Sequence, residues 1–262
     1  MRTQPDAAPD VTRSLRLAVM LLRLLSTHAR IGWRLSDLAD QAQLDRATVH
    51  RLLAGLCGER LATRVPGTLR YTLGPLAFEL GIAAEPYFNL DRAAGHRLAA
   101  LATELGGTLY LKVRSGVESV CIARHDGSKA VLALLLEVGG RRPLCLTAGG
   151  VAMLIRLPRA QQRDIERLNR DTMVRQGDAR WPGVRQMVRR SRHCGFGLNL
   201  GDIVPGICTV SIALQCADQL PVASLGLALA TNSLSQSRSA ELASTLMAEA
   251  MDLQKQLARM RF

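Results

Sequence analysis

The 262-residue sequence predicts two domains, a small and mostly α-helical domain followed by a larger α+β domain. Apolar residues recur at helical spacing from residue 15 to residue 56, and a pair of short β-prone runs follows. From residue 90 onward helical and β-prone segments are mixed, which is typical of an α+β domain. Hydrophobic residues make up 48% of the chain and charged residues 21%, which indicates folded domains with a substantial core.

The first segment, residues 1–12, contains proline and small or acidic residues and is expected to be a flexible tail. Ser14 is a candidate N-cap, because its hydroxyl can accept a hydrogen bond from the first turn of a helix over residues 15–27. Leu21 and Leu25 recur at helical spacing there, so one face of this helix is expected to be buried.

Two further helices joined by a short turn are expected next. Ser36 is a candidate cap for a helix over residues 37–43, and Asp45 is a candidate cap for a helix over residues 46–61. Two short helices with a tight turn between them, the second beginning with polar residues, are typical of a helix-turn-helix.

The β-prone runs 61–65 and 69–73 flank a Pro-Gly-Thr turn and predict a hairpin wing. Residues 13–74 are therefore expected to form a winged helix-turn-helix DNA-binding domain. Residues 75–89 are expected to be a linker helix that ends at Pro86, because proline disfavours helix at the residue before it.

The second helix of a helix-turn-helix places its N-terminal side chains against base edges in the major groove of double-stranded operator DNA. The candidates for base contact are Arg46, Ala47, Thr48, His50 and Arg51. The candidates for phosphate contact are the Ser36 backbone amide and the wing residues Arg64 and Arg70. For His50 alone, a surface or structural role is an equal alternative.

The net charge of +12 favours a polyanionic partner without identifying it. Residues 1–75 carry 11 Arg against 6 acidic residues, and residues 156–192 carry 11 Arg against 4. The second stretch leaves an RNA-binding or membrane-surface protein as an alternative. Aromatic residues make up only 3% of the chain, which leaves few side chains to stack on unpaired bases, so we favour a solvated outer face.

The domain expected over residues 90–262 begins with an amphipathic helix at 90–105. Its predicted strands cover 108–113, 119–124, 130–136 and the regions near 208–214 and 222–229. Its further predicted helices cover 150–157, 159–169, 184–194 and 237–261.

The six cysteines have no C-x-x-C spacing, so reduced thiols are expected, with no metal site and no cofactor. The N-terminus has no signal-peptide core, and no apolar run approaches the roughly 18 residues that a membrane helix needs. We therefore expect a soluble cytoplasmic protein that does not contact a membrane.

Three segments of this sequence resemble the IclR family of bacterial transcriptional regulators. The first is LSDLADQAQLDRATVHRLLAGLCGERLATR, with RYTLGPLAFELG after it; the second is VGGRRPLCLTAGGVAML; the third is GFGLNLGDIVPGICTVSIALQ. The resemblance implies a GAF-like effector-binding domain and assembly into a homodimer or tetramer that binds operator half-sites. The positions that match the family's effector pocket are Leu134, Arg142, Ala148, Gly149, Asn199, Ile207, Thr209, Gly226 and Ala228.

Several of these positions depart from the family pattern, so the resemblance does not identify the effector. Arg142 stands where an apolar side chain is common, and Val151 where Lys is common. Asn199 stands where an acid can occur, and Gly226 and Ala228 where small hydroxyl residues can occur.

Residues 147–150 place small side chains and backbone N–H groups, including that of Gly150, at a predicted helix start that suits a carboxylate. Arg141 or Arg142 can add a bidentate hydrogen bond. The alternative is that the glycines only allow close packing of helix on sheet and that both arginines face water.

The resulting hypothesis is a sequence-specific DNA-binding transcriptional regulator whose effector domain senses a small organic acid, such as a catabolic intermediate. The alternatives are a redox-sensing regulator and a GAF-like enzyme with Cys208 or Cys145 as nucleophile. The enzyme is disfavoured because a catalytic thiol needs a nearby base or positive charge, and the sequence neighbours of Cys208 are apolar or neutral.

Overall fold

The computed structural model describes residues 13–27, 31–88, 90–128, 136–215, 220–231, 234 and 236–257. The chain divides into two compact units, Met1–Glu85 and Pro86–Phe262, and each is described by itself.

Unit 1 has three helices around a small core, a three-stranded sheet and a fourth helix. The buried core joins Leu21 and Leu25 to Leu38, Val49 and Leu53. The sheet is antiparallel, in the order β1-β3-β2. The elements are α1 (Arg13–Thr27), β1 (Trp33–Arg34), α2 (Leu35–Ala42), α3 (Arg46–Gly58), β2 (Ala62–Arg64), β3 (Arg70–Leu73) and α4 (Pro75–Phe88).

The predicted caps of the first two helices are wrong. Ser14 lies inside α1, which already includes Arg13. Arg34 is the N-cap of α2, and Ser36 lies within the helix, where its hydroxyl donates to the Asp37 carboxylate at 3.0 Å. The reason is the short strand β1: because Arg34 pairs with Arg70 in extended conformation, the helix begins directly after it.

The cap of α3 is confirmed, since the Asp45 carboxylate accepts a hydrogen bond from the Thr48 N–H at 2.7 Å. This helix ends earlier than expected, at Gly58. Arg60 adopts a left-handed conformation with φ of 59°, and the Leu61 N–H then bonds to the Leu56 carbonyl at 2.9 Å. That backbone bond closes the helix end and directs the chain into β2.

The linker helix predicted over residues 75–89 is present as α4, which spans Pro75–Phe88, but the expected end of the helix at Pro86 is wrong. Proline removes one backbone donor and disfavours helix before it, but its own φ is compatible with a helix.

Unit 2 is built on a six-stranded sheet with the order β6-β5-β4-β9-β8-β7, in which all neighbouring strands are antiparallel. Its strands are β4 (Thr108–Ser115), β5 (Glu118–Asp126), β6 (Arg141–Pro143), β7 (Gly197–Leu200), β8 (Ile207–Gln215) and β9 (Pro221–Ala230). Its helices are α5 (Leu90–Leu105), a short 3-10 helix (Leu144–Leu146), α6 (Ala148–Leu154), α7 (Arg159–Arg175), α8 (Trp181–Cys194) and α9 (Gln236–Leu257).

The long elements of unit 2 match the sequence pattern and the short ones do not. The helix predicted over residues 90–105 is confirmed, and the strands near 208–214 and 222–229 are present with slightly wider bounds. The strand predicted at 130–136 lies outside the described residues except for its last residue. The short strands β6 and β7 were not predicted.

The two faces of the sheet differ in chemistry because side chains alternate along each strand. Leu109 and Leu111 of β4 and Leu225 and Leu227 of β9 face a leucine-rich core that includes α5 and α9. The residues between them, such as Tyr110, are on the opposite face, together with small or polar residues of β8 and β9. A cavity forms on that second face.

Within the described ranges, no helix combines the length and the apolarity needed to cross a bilayer. The same ranges contain no cluster of three or more His, Cys, Asp or Glu residues that could hold a metal ion.

Candidate functional site

The first candidate site is the exposed face of α3 in unit 1. Val49, Leu53 and Leu56 are buried against the helical core. The opposite face exposes Arg46, Ala47, His50 and Arg51, and Thr48 is half-buried. Hydrogen bonds from Thr48 to the Asp45 carboxylate lower the pKa of Asp45, so this cap stays ionised at neutral pH. The helix start is thereby fixed while its polar face remains open to solvent.

The wing and the start of α2 line one open groove in unit 1. Arg34, Ser36, Arg64 and Arg70 contribute to its wall, and its described lining contains no acidic residue. Arg64 Nε donates to the Thr68 carbonyl at 3.1 Å within the wing turn. Arg70 Nη1 donates to the Gly32 carbonyl at 2.8 Å, so that side chain also fastens the wing to the segment before α2.

Sequence reasoning missed Arg34, which is exposed at the N-cap of α2. The signal was weak because the pattern of residues 29–33 predicts only a break between two helices. It is the pairing of β1 with β3 that brings Arg34 beside Arg70.

The second candidate site is a cavity of about 230 Å³ in unit 2. It lies between the second face of the sheet, the start of α6 and the segment that joins β7 to β8. Its lining combines three cationic side chains with neutral polar and apolar ones, and its described part has no carboxylate. The lining residues are Tyr110, Lys112, Leu136, Arg142, Leu146, Thr147, Ala148, Arg180, Asn199, Ile203, Val204, Ile207, Thr209 and Ala228.

The structure brings six of the ten candidate effector residues to this cavity: Arg142, Ala148, Asn199, Ile207, Thr209 and Ala228. Three glycines, Gly149, Gly150 and Gly226, are not part of its described lining. Leu134 lies outside the described residues.

The three glycines allow backbone and sheet to approach closely. A Cβ on Gly150 would lie 2.0 Å from the Leu144 carbonyl oxygen, and one on Gly149 would lie 2.7 Å from Ser224 Oγ. One on Gly226 would lie 2.3 Å from Ser211 Oγ. The packing alternative considered for Gly149 and Gly150 therefore describes their contacts.

The backbone at the start of α6 is less available than expected. The Thr147 hydroxyl accepts a hydrogen bond from the Gly150 N–H at 3.0 Å, which caps the helix. One of the amides considered for a carboxylate is thus already satisfied within the chain.

The structure separates the two arginines between which the sequence could not choose. Arg141 forms an ion pair with Glu118 at 2.9 Å and also bonds to Ser115. Arg142 lines the cavity, and its guanidinium donates to the carbonyl of its neighbour Arg141 at 2.8 Å. Burial, and then the nearby Arg180 charge, lower the pKa of Arg142.

Lys112 is the most buried cation of the cavity, with 7% of its surface exposed. Its ammonium nitrogen lies 5.7 Å from the centre of the Tyr110 ring, and no described carboxylate pairs with it. Burial lowers the pKa of Lys112 to about 8, and the Arg142 charge acts in the same direction. Burial likewise raises the pKa of Tyr110 to about 12, so its hydroxyl stays protonated. That hydroxyl has no hydrogen-bond partner among the described residues.

Asn199 holds the segment that forms one wall of the cavity. Its amide donates to the Ile207 carbonyl and its oxygen accepts from the Asp202 N–H, both at 3.0 Å. Asp202 also forms two hydrogen bonds with Arg190, the shorter at 2.6 Å. Burial opposes ionisation of Asp202, but the bonds from Arg190 and from the Leu200 N–H outweigh it and lower its pKa. The Asp202 carboxylate is therefore ionised, and the Arg190 side chain compensates its charge.

Three of the described cysteines, Cys121, Cys145 and Cys208, are buried. Cys145 is buried, and burial strongly raises its pKa. Burial also raises the pKa of Cys121 to about 11. Cys208 is 1% exposed, with its sulfur 3.6 Å from the Thr231 hydroxyl. Because thiolates are the reactive form, Cys121 and Cys145 are expected to be inert.

Thr147, which the sequence placed at the candidate carboxylate site, also lines the cavity. Sequence reasoning missed seven lining residues: Tyr110, Lys112, Leu136, Leu146, Arg180, Ile203 and Val204. A usable signal existed for Lys112, one of only three lysines in the chain, because it occupies the same alternating face of a β-prone run as Tyr110. The five missed residues that are not on β4 come from loops and helix ends that only the tertiary fold brings together.

Much of the arginine-rich stretch 156–192 forms ion pairs. Arg180 pairs with Asp178 at 2.6 Å and also lines the cavity. The other pairs are Arg167 with Asp164, Arg170 with Asp171, Arg190 with Asp202 and Arg192 with Glu166. These ion pairs support the interpretation of the stretch as an outer face whose positive charge is partly compensated by neighbouring acidic residues.

Comparison with known proteins places both units in one family. Residues 86–255 match the family model described as "Bacterial transcriptional regulator IclR C-terminal", and residues 14–66 match the "IclR helix-turn-helix domain". The repressor YiaJ of Escherichia coli is 27% identical over 179 residues, which are 65% of this chain and 63% of that protein. A glycerol operon regulatory protein of Streptomyces coelicolor is 27% identical over 251 residues, which are 94% and 95% of the two chains.

Solved structures share the fold. An IclR transcriptional regulator from Alicyclobacillus acidocaldarius has a TM-score of 0.71 at 19% identity, covering 95% of this chain and 99% of its own. An IclR homologue from Microbacterium hydrocarbonoxydans, solved in complex with 4-hydroxybenzoate, has a TM-score of 0.66 at 16% identity, covering 94% and 99%. At these identities the likeness establishes the fold alone.

Proposed function

Because the chain belongs to the IclR family of bacterial transcriptional regulators, we propose that its effector-binding domain senses a small organic acid and thereby alters operator binding by its helix-turn-helix. The observation that carries this proposal is the cavity in unit 2, where Lys112 and Arg142 have no carboxylate partner among the described residues and the described lining has no acid. An anionic ligand would neutralise these charges. The cavity volume of about 230 Å³ limits that ligand to a small molecule.

The complex of the Microbacterium homologue supports the same ligand class, since 4-hydroxybenzoate is a small aromatic acid. We infer that the acid is a catabolic intermediate, in keeping with relatives named as regulators of a glycerol operon.

Binding of acids can be tested by calorimetry with a panel that includes 4-hydroxybenzoate, each acid being matched with its amide. We expect acids to bind, amides to bind more weakly, and Arg142→Ala to reduce acid affinity. Arg141→Ala is not a clean control because it breaks the ion pair with Glu118, so Arg163→Ala, exposed on α7, serves instead. Binding of neutral compounds only, or unchanged acid affinity in Arg142→Ala, would refute the proposal.

For the DNA-binding domain, we infer that the exposed face of α3 enters the major groove, with Arg46, Ala47, Thr48, His50 and Arg51 near base edges. Arg64, Arg70 and the Ser36 backbone amide are assigned to phosphates, and Arg34 joins them because it lies in the same groove of unit 1. We also propose that the protein acts in the cytoplasm as a homodimer or tetramer. Exposed apolar side chains on α4, such as Phe78, support self-association.

Footprinting on the DNA upstream of the protein's own gene tests operator binding. A protected site with a steep salt dependence is expected, whereas equal affinity for random RNA would contradict it. Light scattering of the same preparation distinguishes two from four copies of the 28.4 kDa chain.

The redox and cysteine-enzyme alternatives are disfavoured at Cys121 and Cys145, because burial holds both thiols in the protonated form.

A further inference from the structure

We propose that the cavity of unit 2 selects an effector with two carboxylates, and that Lys112 is the residue that distinguishes such a dicarboxylate from a monocarboxylate. This inference rests on the proposed function, since it assumes that the cavity binds an organic acid. It adds a second anion subsite, formed by Lys112, to the one formed by Arg142.

Two of the three cations in the described lining of the cavity have no acidic partner among the described residues. Arg180 is paired with Asp178, so its charge is largely compensated. Lys112 and Arg142 line the same cavity without an acidic partner among the described residues. Two uncompensated cations in one small space repel each other, and burial lowers the pKa of both. A single carboxylate would leave one positive charge uncompensated.

The two cations without an acidic partner are on different strands of the sheet. Lys112 is on β4 and Arg142 is on the edge strand β6, with β5 between them. Because neighbouring strands lie about 4.8 Å apart, the two backbones are separated by roughly 10 Å. The two side chains therefore approach the cavity from different strands. One carboxylate at each of the two side chains would compensate both charges.

Lys112 lies beside Tyr110, whose hydroxyl can serve as a second hydrogen-bond donor. Its ammonium has donors to offer and lies near the Tyr110 ring, while the Tyr110 hydroxyl is buried without a described partner. An ammonium and a phenol hydroxyl together can donate to both oxygens of one carboxylate. A ligand group at this point would satisfy two buried polar groups at once, which the apolar part of a monocarboxylate cannot do.

The experiment compares dicarboxylates with their monoamides, which keep the shape of the acid and lose one charge. Calorimetry at neutral pH uses succinate, glutarate, adipate and phthalate, each against its monoamide, with the full-length wild type, Lys112→Met and Lys255→Met. Methionine is nearly isosteric with lysine and removes the charge. Lys255→Met is the matched control, because Lys255 is exposed on α9 and pairs with Asp252.

We expect the best dicarboxylate to bind wild type and Lys255→Met about tenfold to a hundredfold more tightly than its monoamide, the range for a hydrogen bond to a charged group. In Lys112→Met this preference should disappear, while the affinity for the monoamide changes by less than about threefold.

Equal affinity of wild type for dicarboxylates and monoamides overturns the inference and leaves the proposed function standing, because an acid still binds. A preference for dicarboxylates that remains in Lys112→Met also overturns the inference and leaves the proposed function standing. If no acid of either kind binds wild type, the proposed function fails and this inference fails with it. If Lys112→Met does not fold, the wild-type comparison still tests the preference for two carboxylates, and Lys112→Gln replaces Lys112→Met as the test of the residue.

Discussion

The Lys112 side chain holds a positive charge inside the folded protein. Its charge is buried against Tyr110 and faces Arg142 and the Cys121 thiol rather than a described carboxylate. Burial disfavours the charged form in the folded state, and the unfolded chain has no such restraint. The folded protein thus holds a charge in place that a bound anion would compensate.

Replacing Lys112 by methionine should stabilise the ligand-free protein. The folded-state pKa of Lys112 is lowered from 10.5 to about 8, which corresponds to about 3 kcal/mol of penalty when both states are protonated. That penalty is complete below about pH 8 and disappears as the pH rises towards the unfolded-state pKa, because the unfolded chain then binds more protons. Urea unfolding of unit 2 should show Lys112→Met more stable than wild type by about 1 to 3 kcal/mol at neutral pH.

The pH dependence isolates this residue from all others. The advantage of Lys112→Met should shrink steadily between about pH 8 and pH 10. Lys255→Met is measured alongside as the control, since that side chain is exposed and pairs with Asp252. A constant advantage of Lys112→Met across this pH range would contradict the lowered pKa.

Residue identities allowed some site positions to be foreseen and not others. Arg142 and Asn199 were found through family resemblance, and the structure places both at the cavity. The hydrogen bonds of Asn199 to Ile207 and Asp202 could not be foreseen, because they depend on how the segment between β7 and β8 folds back. The same holds for the choice between Arg141 and Arg142, which is fixed by the ion pair of Arg141 with Glu118.

At the scale of secondary structure, the contact between α6 and the sheet positions the cavity. This short helix is entirely buried, and its glycines allow it to pass close to neighbouring backbone. Gly197 of β7 has the same character, since a Cβ there would lie 2.0 Å from the Ala148 carbonyl oxygen. The position of α6 therefore depends on glycines, which have no side chain, as much as on apolar side chains.

Gly150→Ala should destabilise unit 2 by about 2 kcal/mol or more, because the added Cβ would lie 2.0 Å from the Leu144 carbonyl oxygen and the backbone must shift. Gly81→Ala on α4 is the matched control, since a Cβ added there would have no described neighbour within 4 Å. Alanine favours helix over glycine, so that change should be neutral or stabilising by up to about 1 kcal/mol. Thermal unfolding checks both, and equal effects would show that the close approach is not limiting.

Helix α3 and the wing are expected to differ in what they contribute to DNA binding. Arg64→Ala should weaken binding to all sequences alike and reduce the salt dependence by about one phosphate contact. Arg51→Ala should reduce discrimination at one base pair by about 1 to 3 kcal/mol. Fluorescence anisotropy with operator variants at several salt concentrations separates the two effects. Identical behaviour of both variants would rule out the division of roles.

Periodicity predicted the long elements because their burial repeats over several turns or several strand residues. The helix α5 and the strands β8 and β9 are of this kind. The strands β1 and β6 have two and three residues, too few for a period, and they exist because β3 and β5 offer them partners. The missed cap at Ser36 follows directly from the missed strand β1.

At the scale of the whole molecule, the positive charge is distributed over both units, and its excess has different uses. In unit 1 the arginines of α3 are exposed, and Arg64 and the half-buried Arg70 of the wing line a groove without described acids. In unit 2 many arginines of residues 156–192 are paired, and Arg142 and Arg180 line the cavity. Net charge alone predicted a polyanionic partner, but it could not separate a DNA contact from an anion receptor.

If the two units form one switch, effector and operator must influence each other equally. Thermodynamic linkage requires that the factor by which an acid changes DNA affinity equals the factor by which DNA changes acid affinity, typically about 5- to 150-fold. Anisotropy with and without the tightest-binding acid of the panel measures the first factor, and calorimetry with and without operator DNA measures the second. Equal factors different from one are expected for wild type and for Lys255→Met. A factor of one in both measurements would mean that the cavity binds acid without controlling DNA binding, because a ligand with equal affinity for two states shifts neither.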